Sequence, residues 1–186
     1  MQIPAPEHKP NILVRSVHAM WHVARELIMT IVPAVLLTLL VNTYVAQATV
    51  VDGPSMQPNL YTDYRVMTEK VSYHLHPPRR GDVVVVDRPG EPEPLVKRVM
   101  ALAGETVEVR GGHVFINQVP IQEPWVTYWG GKDYQPPVVP DGHVFVLGDN
   151  RTVSLDSRYI GPVALDLVTR HVVFIFWPLK QIKFMP

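Results

Sequence analysis

The chain has 186 residues, 47% hydrophobic and 18% charged, with a formal net charge of zero. This is enough apolar material for one packed domain with something to spare, and too much for wholesale disorder. The balanced charge, without long basic runs, argues against nucleic acid as a partner, and the absence of cysteine excludes disulfides, thiol catalysis and thiolate metal sites.

Residues 1–10 carry three prolines and read as a loose tail. Asn11 to Glu26 fits a short amphipathic helix. Residues 27–46 then run without a single charge, about the ~20 residues a membrane-spanning helix needs. Pro33 is tolerable there as a kink or near a helix start. Lys9, Arg15 and Arg25 precede the apolar run, and the first basic residue after it is Arg65. Basic residues favour the cytoplasmic side. The predicted organisation is therefore a cytoplasmic tail over 1–26, a transmembrane signal anchor over 27–46 and an extracytoplasmic β-rich domain over 47–186. A cleaved secretory signal competes with this, since Ala46-Gln47-Ala48 is a small-x-small site. The apolar run exceeds the usual signal core, which favours a retained anchor. Cutting after Ala48 stays open.

Beyond the anchor the chain reads as short strands and turns. Tyr64–Val71 alternates in part. Val83-Val84-Val85-Val86 is β-branched throughout and suits a strand buried on both faces. Leu95–Leu102 is apolar apart from Lys97 and Arg98. Thr106–Arg110 and Val114–Ile116 flank Gly111-Gly112, a hairpin signature. Residues 123–142 form an irregular excursion rich in Pro, Gly, Trp and Tyr. His143–Leu147 and Val172–Trp177 are further strands, the last too short to span a bilayer as a helix. Many short strands at regular spacing predict a mainly β fold, an antiparallel β-sandwich or barrel-like domain. No internal repeat or second soluble domain is visible.

Gly53-Pro54-Ser55-Met56-Gln57-Pro58-Asn59-Leu60 follows the anchor closely. Its prolines fix φ, so the segment is a stiff turn presenting Ser55. By itself the octet is compatible with a nucleophile at the membrane surface or with an ordinary linking turn. A serine nucleophile needs a base. Of eight histidines, His74 and His76 lie in a proline-bounded loop, His113 follows a hairpin turn, and His143 and His171 begin strands, all contexts typical of surface or strand-end residues. Lys97 differs. A lysine in an apolar strand either snorkels to water or is desolvated, and desolvation lowers its pKa toward the neutral amine that can take a proton from a hydroxyl. Arg98 cannot do so. Alternation along a strand points the two to opposite faces. The residues alone leave both readings of Lys97 open. No histidines and carboxylates cluster at ligand spacing, so no metal or other cofactor is expected.

Four blocks in one order resemble the bacterial type I signal peptidase (leader peptidase) family of membrane-anchored Ser-Lys endopeptidases. They are Gly53–Leu60, Arg80-Gly81-Asp82-Val83-Val84-Val85, Val96–Glu105 around Lys97-Arg98, and Gly148-Asp149-Asn150-Arg151-Thr152-Val153-Ser154-Leu155-Asp156-Ser157-Arg158. The resemblance implies roles. Ser55 would attack the scissile carbonyl and form an acyl-enzyme, and Lys97 would be general base and acid. Ser154 would hydrogen-bond the lysine amine, while Asp156 and Arg158 would pair as a structural brace with Arg98 nearby. Val51, Met56, Leu95 and Val96 would line shallow pockets for the small residues of an Ala-x-Ala site. It further implies signal peptides of exported preproteins as substrates, with the lipid bilayer and the secretion translocon as partners. The location would be a bacterial cell membrane, crossed once, with the N-terminus cytoplasmic.

The sequence departs from the family pattern at Gly53, where some members carry an oxyanion-donating serine. It departs again at Asn59 for threonine, Ala103 for proline and Glu105 for aspartate. The stretch between Glu105 and His143 is too short for the large accessory insertion of some relatives. Trp125, Tyr128, Trp129 and Tyr134 in it fit local loop packing or an interfacial belt. Two other readings are a self-cleaving Ser-Lys peptidase, for which no DNA-binding module is visible, and a non-enzymatic peptide-binding domain, which would make Ser55 and Lys97 dispensable.

Overall fold

A single long helix, α1 (Ile12–Leu40), precedes everything else in the computed structural model, which describes residues 12–135 and 138–185. The expected tail at 1–10 lies outside the described residues. Met20–Leu40 is long and apolar enough to cross a membrane by length and composition. Within it the hydroxyls of Thr30 and Thr38 donate to the carbonyls of Glu26 and Ala34 at 2.8 and 2.9 Å, so both are satisfied inside the helix. One continuous helix, Ile12–Leu40, thus runs through the two stretches read separately as 11–26 and 27–46, and it ends before the second of them does. Val41–Val45 widens into a π turn, and Ala46 opens a strand.

Residues 44–186 form a unit separate from the segment ending at Thr43. Its strands are β1 (Ala46–Val50), β2 (Arg65–Glu69), β3 (Val83–Val86), β4 (Leu95–Leu102), β5 (Val107–Arg110), β6 (His113–Ile116), β7 (Val119–Pro120), β8 (His143–Leu147), β9 (Val163–Ala164), β10 (Val168–Trp177) and β11 (Lys183–Phe184). Two one-turn helices, α2 (Ser72–Leu75) and α3 (Ser157–Ile160), complete it. An eight-stranded antiparallel sheet runs β1-β2-β10-β3-β4-β8-β9, with β11 on β10, beside a three-stranded sheet β5-β6-β7. The expected mainly antiparallel β fold is what forms. The large sheet curls into a half-barrel, helped by bulges in β10 and between Val99 and Ala101 of β4.

The valine run of β3 shows why the sheet is covered on both faces. Val83 and Val85 pack with Val51, Met56, Leu60, Val66 and Val96, whereas Val84 and Val86 pack with Val99, Val144, Val146 and Val168. All four are at most 1% exposed. The β5–β6 hairpin turns on Gly111 and Gly112, whose φ of +54° and +89° are the left-handed pair that a tight two-residue turn requires. Below it Val107, Val109, Val114, Phe145 and Leu147 form a third cluster.

Several elements differ from expectation. Ala46-Gln47-Ala48, the small-x-small site, lies within β1 and pairs with Glu69, Thr68 and Met67. The strand expected over Val172–Trp177 begins at Val168, four residues earlier. His74 sits in α2 and not in a loop.

Candidate active site

The Ser55 turn is shaped from below. The amides of Asn59 and Leu60 bond the Met56 carbonyl at 3.0 and 2.9 Å, and the Gln57 amide bonds that of Pro54. Met56 and Leu60 bury their side chains in the core at 1% and 0% exposure. The Val51 amide bonds the Tyr64 carbonyl, closing the loop at its base. With two apolar anchors pointing inward, Ser55 is left part-exposed at the crest.

Lys97 comes from the middle of β4, opposite Val84 of β3. It is 2% exposed, and its Nζ donates to Ser55 Oγ at 2.8 Å and to the Val96 carbonyl at 3.0 Å. Burial lowers its pKa to about 8; the negative field of Asp156 opposes this, Arg88 assists it, and Asp149 also opposes it. Arg98 points to the other face, as strand alternation requires. Its Nε and Nη2 bond the two oxygens of Asp149 at 2.8 Å each, its Nη1 bonds the Gly81 carbonyl at 2.8 Å, and its guanidinium lies 4.6 Å over the Trp125 ring.

The 148–158 segment ties these parts together. The Asn150 amide bonds the Ser55 carbonyl at 3.0 Å. Gly148 sits where a Cβ would overlap both Ser154 Oγ and the Ser55 carbonyl, so only glycine permits the approach. Asp156 and Arg158 form a bidentate pair at 2.9 Å, and Asp156 also accepts from the Gly148 amide at 3.1 Å. Arg158 continues to the carbonyls of Arg151 and Gly130 at 2.7 and 3.1 Å. Arg151 in turn is paired with Glu123 and bonds the Gly112 carbonyl.

Asp156 and Arg158 are paired in the structure, and the ionic partner of Arg98 is Asp149. In the sequence Asp149 stands within the fourth block without a role of its own. The Arg151–Glu123 pair was also missed. Its partners stand 28 residues apart, with no local pattern to link them. Ser154 lies at 3% exposure beside Gly148 and Ser55, yet its Oγ makes no hydrogen bond; the expected bond to the lysine amine is not formed. Lys97 Nζ is already turned to Ser55 and Val96, leaving one of its three donors for a further acceptor.

Of the expected pocket residues, Val51 and Val96 line a cleft of about 310 Å³ with Thr49, Val50, Pro94, Asp52, Asp63 and Glu93. Met56 lies instead in the core under the turn, and Leu95 packs against the Val84 side of the sheet, because alternation sends it away from Val96. Three of the described histidines make other contacts. His171 faces Glu69 at 3.4 Å, His113 stacks on Trp129 at 4.0 Å, and His143 bonds the Asp141 carbonyl. Among the described residues no group of three or more His, Asp or Glu could hold a metal ion.

The family model described as signal peptidase, peptidase S26, matches residues 24–177. Signal peptidase I of Leptolyngbya laminosa is 40% identical over 167 residues, 84% of this chain and 81% of that protein. A probable signal peptidase I-1 of Synechocystis is 37% identical over 87% of this chain and 86% of its own length. The solved signal peptidase I of Enterococcus faecalis is 34% identical, covering 53% of this chain and 97% of that one with a TM-score of 0.45. A match over most of the chain, with relatives of this identity and coverage, places the protein in the signal peptidase family of serine endopeptidases.

Proposed function

We propose that this chain removes N-terminal signal peptides from exported preproteins, cutting after a small residue of an Ala-x-Ala site through Ser55 and Lys97. The observation that carries the reading is the 2.8 Å contact between a buried lysine amine and a half-exposed serine hydroxyl. At a pKa of about 8, roughly one lysine in ten is neutral at pH 7. At 10.5 it would be roughly one in three thousand. Burial thus raises the population of competent base by about two to three orders of magnitude.

In the proposed reaction Ser55 Oγ attacks the scissile carbonyl carbon while its proton passes to the neutral Lys97 amine. The oxyanion takes a hydrogen bond from the Ser55 amide; Gly53 offers no side-chain donor and Pro54 no N–H. The Lys97 ammonium then protonates the leaving amine as the C–N bond breaks. In the second half Lys97 takes a proton from water as its oxygen attacks the acyl-enzyme ester, and returns that proton to Ser55 Oγ as the ester C–O bond breaks, which frees the Ser55 hydroxyl and the carboxylate of the signal peptide. Ser154, buried beside this centre without a partner, is suited to receive the ammonium's third hydrogen bond in the charged intermediate. The cleft bordered by Val51 and Val96 sets the β-branched side chains of Thr49, Val50, Val51 and Val96 beside the carboxylates of Asp52, Asp63 and Glu93, and it is the candidate pocket for the small side chains.

Helix α1 supports a membrane-anchored enzyme that spans the bilayer with Met20–Leu40, the residues before the span being cytoplasmic and residues after 47 outside. The bilayer would then hold substrate and enzyme in one plane. The translocon is the expected neighbour of substrates arriving there. The test is cleavage of an Ala-x-Ala preprotein by the detergent-solubilised full chain. Ser55→Ala and Lys97→Met should each lose at least about a thousandfold in kcat. Near-wild-type cleavage by Lys97→Met would reject the dyad, and an inert but folded wild type would reject the activity.

A further inference from the structure

Asn59 stands four residues after Ser55 on the same turn and touches neither Ser55 nor Lys97 through any hydrogen bond. Its amide nitrogen donates to Asp149 Oδ2 at 2.9 Å and to the Trp125 carbonyl at 2.7 Å, using both of its hydrogens. Asp149 is fully buried, and its two oxygens also hold Arg98, the strand neighbour of Lys97. The Asn150 amide holds the Ser55 carbonyl. The serine turn is therefore fixed at two points to residues 149–150, and those residues are fixed by a bidentate ion pair to the strand that carries the lysine. Arg98 also lies over the Trp125 ring, so the loop that accepts Asn59's second hydrogen bond is held by the same guanidinium.

We propose that Asn59 is a positioning residue, which sets the separation of Ser55 and Lys97 by bridging the serine turn to the Asp149–Arg98 pair and to the Trp125 loop with a two-donor amide. This deepens the Ser55–Lys97 reading and rests on it. An amide is needed because both acceptors lie at hydrogen-bond distance from one nitrogen. A threonine here has a single O–H and can serve only one of them, and a leucine of similar size serves neither. Removing the bridge leaves Asp149 paired with Arg98, so the fold keeps its buried ion pair while the turn loses its lateral hold. A displacement of about 1 Å between reacting groups costs on the order of a hundredfold in rate.

The experiment uses the detergent-solubilised full chain and a soluble peptide with an Ala-x-Ala site, with kcat and KM resolved. Lys97→Met is judged first: if it keeps activity, the dyad reading fails whatever Asn59 does. With the dyad standing, Asn59→Leu should lose roughly 10- to 100-fold in kcat with KM within about twofold, and Asn59→Thr should fall between it and wild type. A wild-type kcat in Asn59→Leu, a loss carried by KM, or a threonine variant no better than leucine would overturn the proposal. Should the leucine variant not fold, Asn59→Thr decides alone. A several-fold kcat loss at unchanged KM and unchanged circular dichroism supports the two-donor bridge, and equality with wild type overturns it.

Discussion

Lys97 and Arg98 are neighbours on one strand, buried to nearly the same extent at 2% and 1% exposure, and they have opposite fates. Arg98 meets a carboxylate in bidentate geometry, with a carbonyl for its remaining nitrogen and an aromatic ring beneath it. Arg158 and Arg151 are treated alike, each against its own carboxylate. Among the described residues Lys97 receives no carboxylate in contact; its hydrogen-bond partners are a hydroxyl and a carbonyl. A buried cation that is paired stays charged and makes a rigid brace. One left with neutral partners relieves its desolvation by releasing a proton, and so becomes a base. The two faces of β4 thus turn the same burial into scaffold on one side and reactivity on the other.

The sharpest way to break this contrast is to give position 97 the residue of position 98. Lys97→Arg keeps the charge and length but cannot deprotonate. Cleavage should fall at least about a thousandfold, to the level of Lys97→Met, in the same preprotein assay. Retained activity would mean that a neutral amine is not required.

The converse change is made on the braced face. Arg98→Met removes the cation and leaves Asp149 fully buried with Asn59 as its remaining side-chain donor. Breaking such a pair from one side costs about 3–5 kcal/mol, to be read as a lowered urea midpoint of the 44–186 unit at unchanged slope. Arg98→Met combined with Asp149→Leu should recover much of it, because the uncompensated charge is then gone.

How much of this could be read in the sequence depends on the range of the interaction. β3 and the Gly111-Gly112 hairpin were legible because their determinants lie within a few residues: a β-branched run, and a glycine pair at a turn. The opposite facing of Lys97 and Arg98 followed from period-two alternation alone. β7, β9 and β11 were not legible, since each is two residues long and owes its extended form to a partner strand. β1 was hidden by its apolar continuity with α1, and only its register with β2 separates it. In the site, Asp156 and Arg158 stand two residues apart, and their pairing was expected from the family resemblance alone. Asp149–Arg98, 51 apart, and Glu123–Arg151, 28 apart, depend on folds of the chain that no local pattern encodes. The cleft residues divide on the same ground. Met56 reads as pocket or core equally well until the turn places it beneath Ser55.

The contrast also predicts a pH dependence of stability. Lys97 is depressed from 10.5 to about 8 in the folded chain, so between these values the unfolded state binds more protons. Stability then rises with pH across that window, by about 3 kcal/mol in total, as the folded state is relieved of a buried charge. Below about pH 8 the cost is fully present. Urea unfolding of wild type against Lys97→Met isolates the effect, since other groups titrate alike in both. The difference should shrink steadily from pH 8 to pH 10.5, and a constant difference would mean the buried amine is not depressed. The cleavage rate should follow the folded value alone, rising through about pH 8 and levelling above it.

The smallest effect comes from a cation whose charge adds to the effect of burial. Arg88, on the loop between β3 and β4, lowers the Lys97 pKa through its charge. It is itself only loosely held, with Glu91 at 3.8 Å, the Glu93 carbonyl at 3.5 Å and its Nε buried without a partner. Arg88→Met removes that charge, so the rising limb of the pH–rate profile should move to higher pH while the plateau stays unchanged. Because burial is the leading cause and Arg88 a lesser one, the displacement should be small beside the whole depression of Lys97. Arg88→Lys keeps the charge and should leave the limb where it is. A limb that moves equally in both variants would assign the effect to the loop's conformation. A limb that moves in neither would leave burial alone to make Lys97 a base.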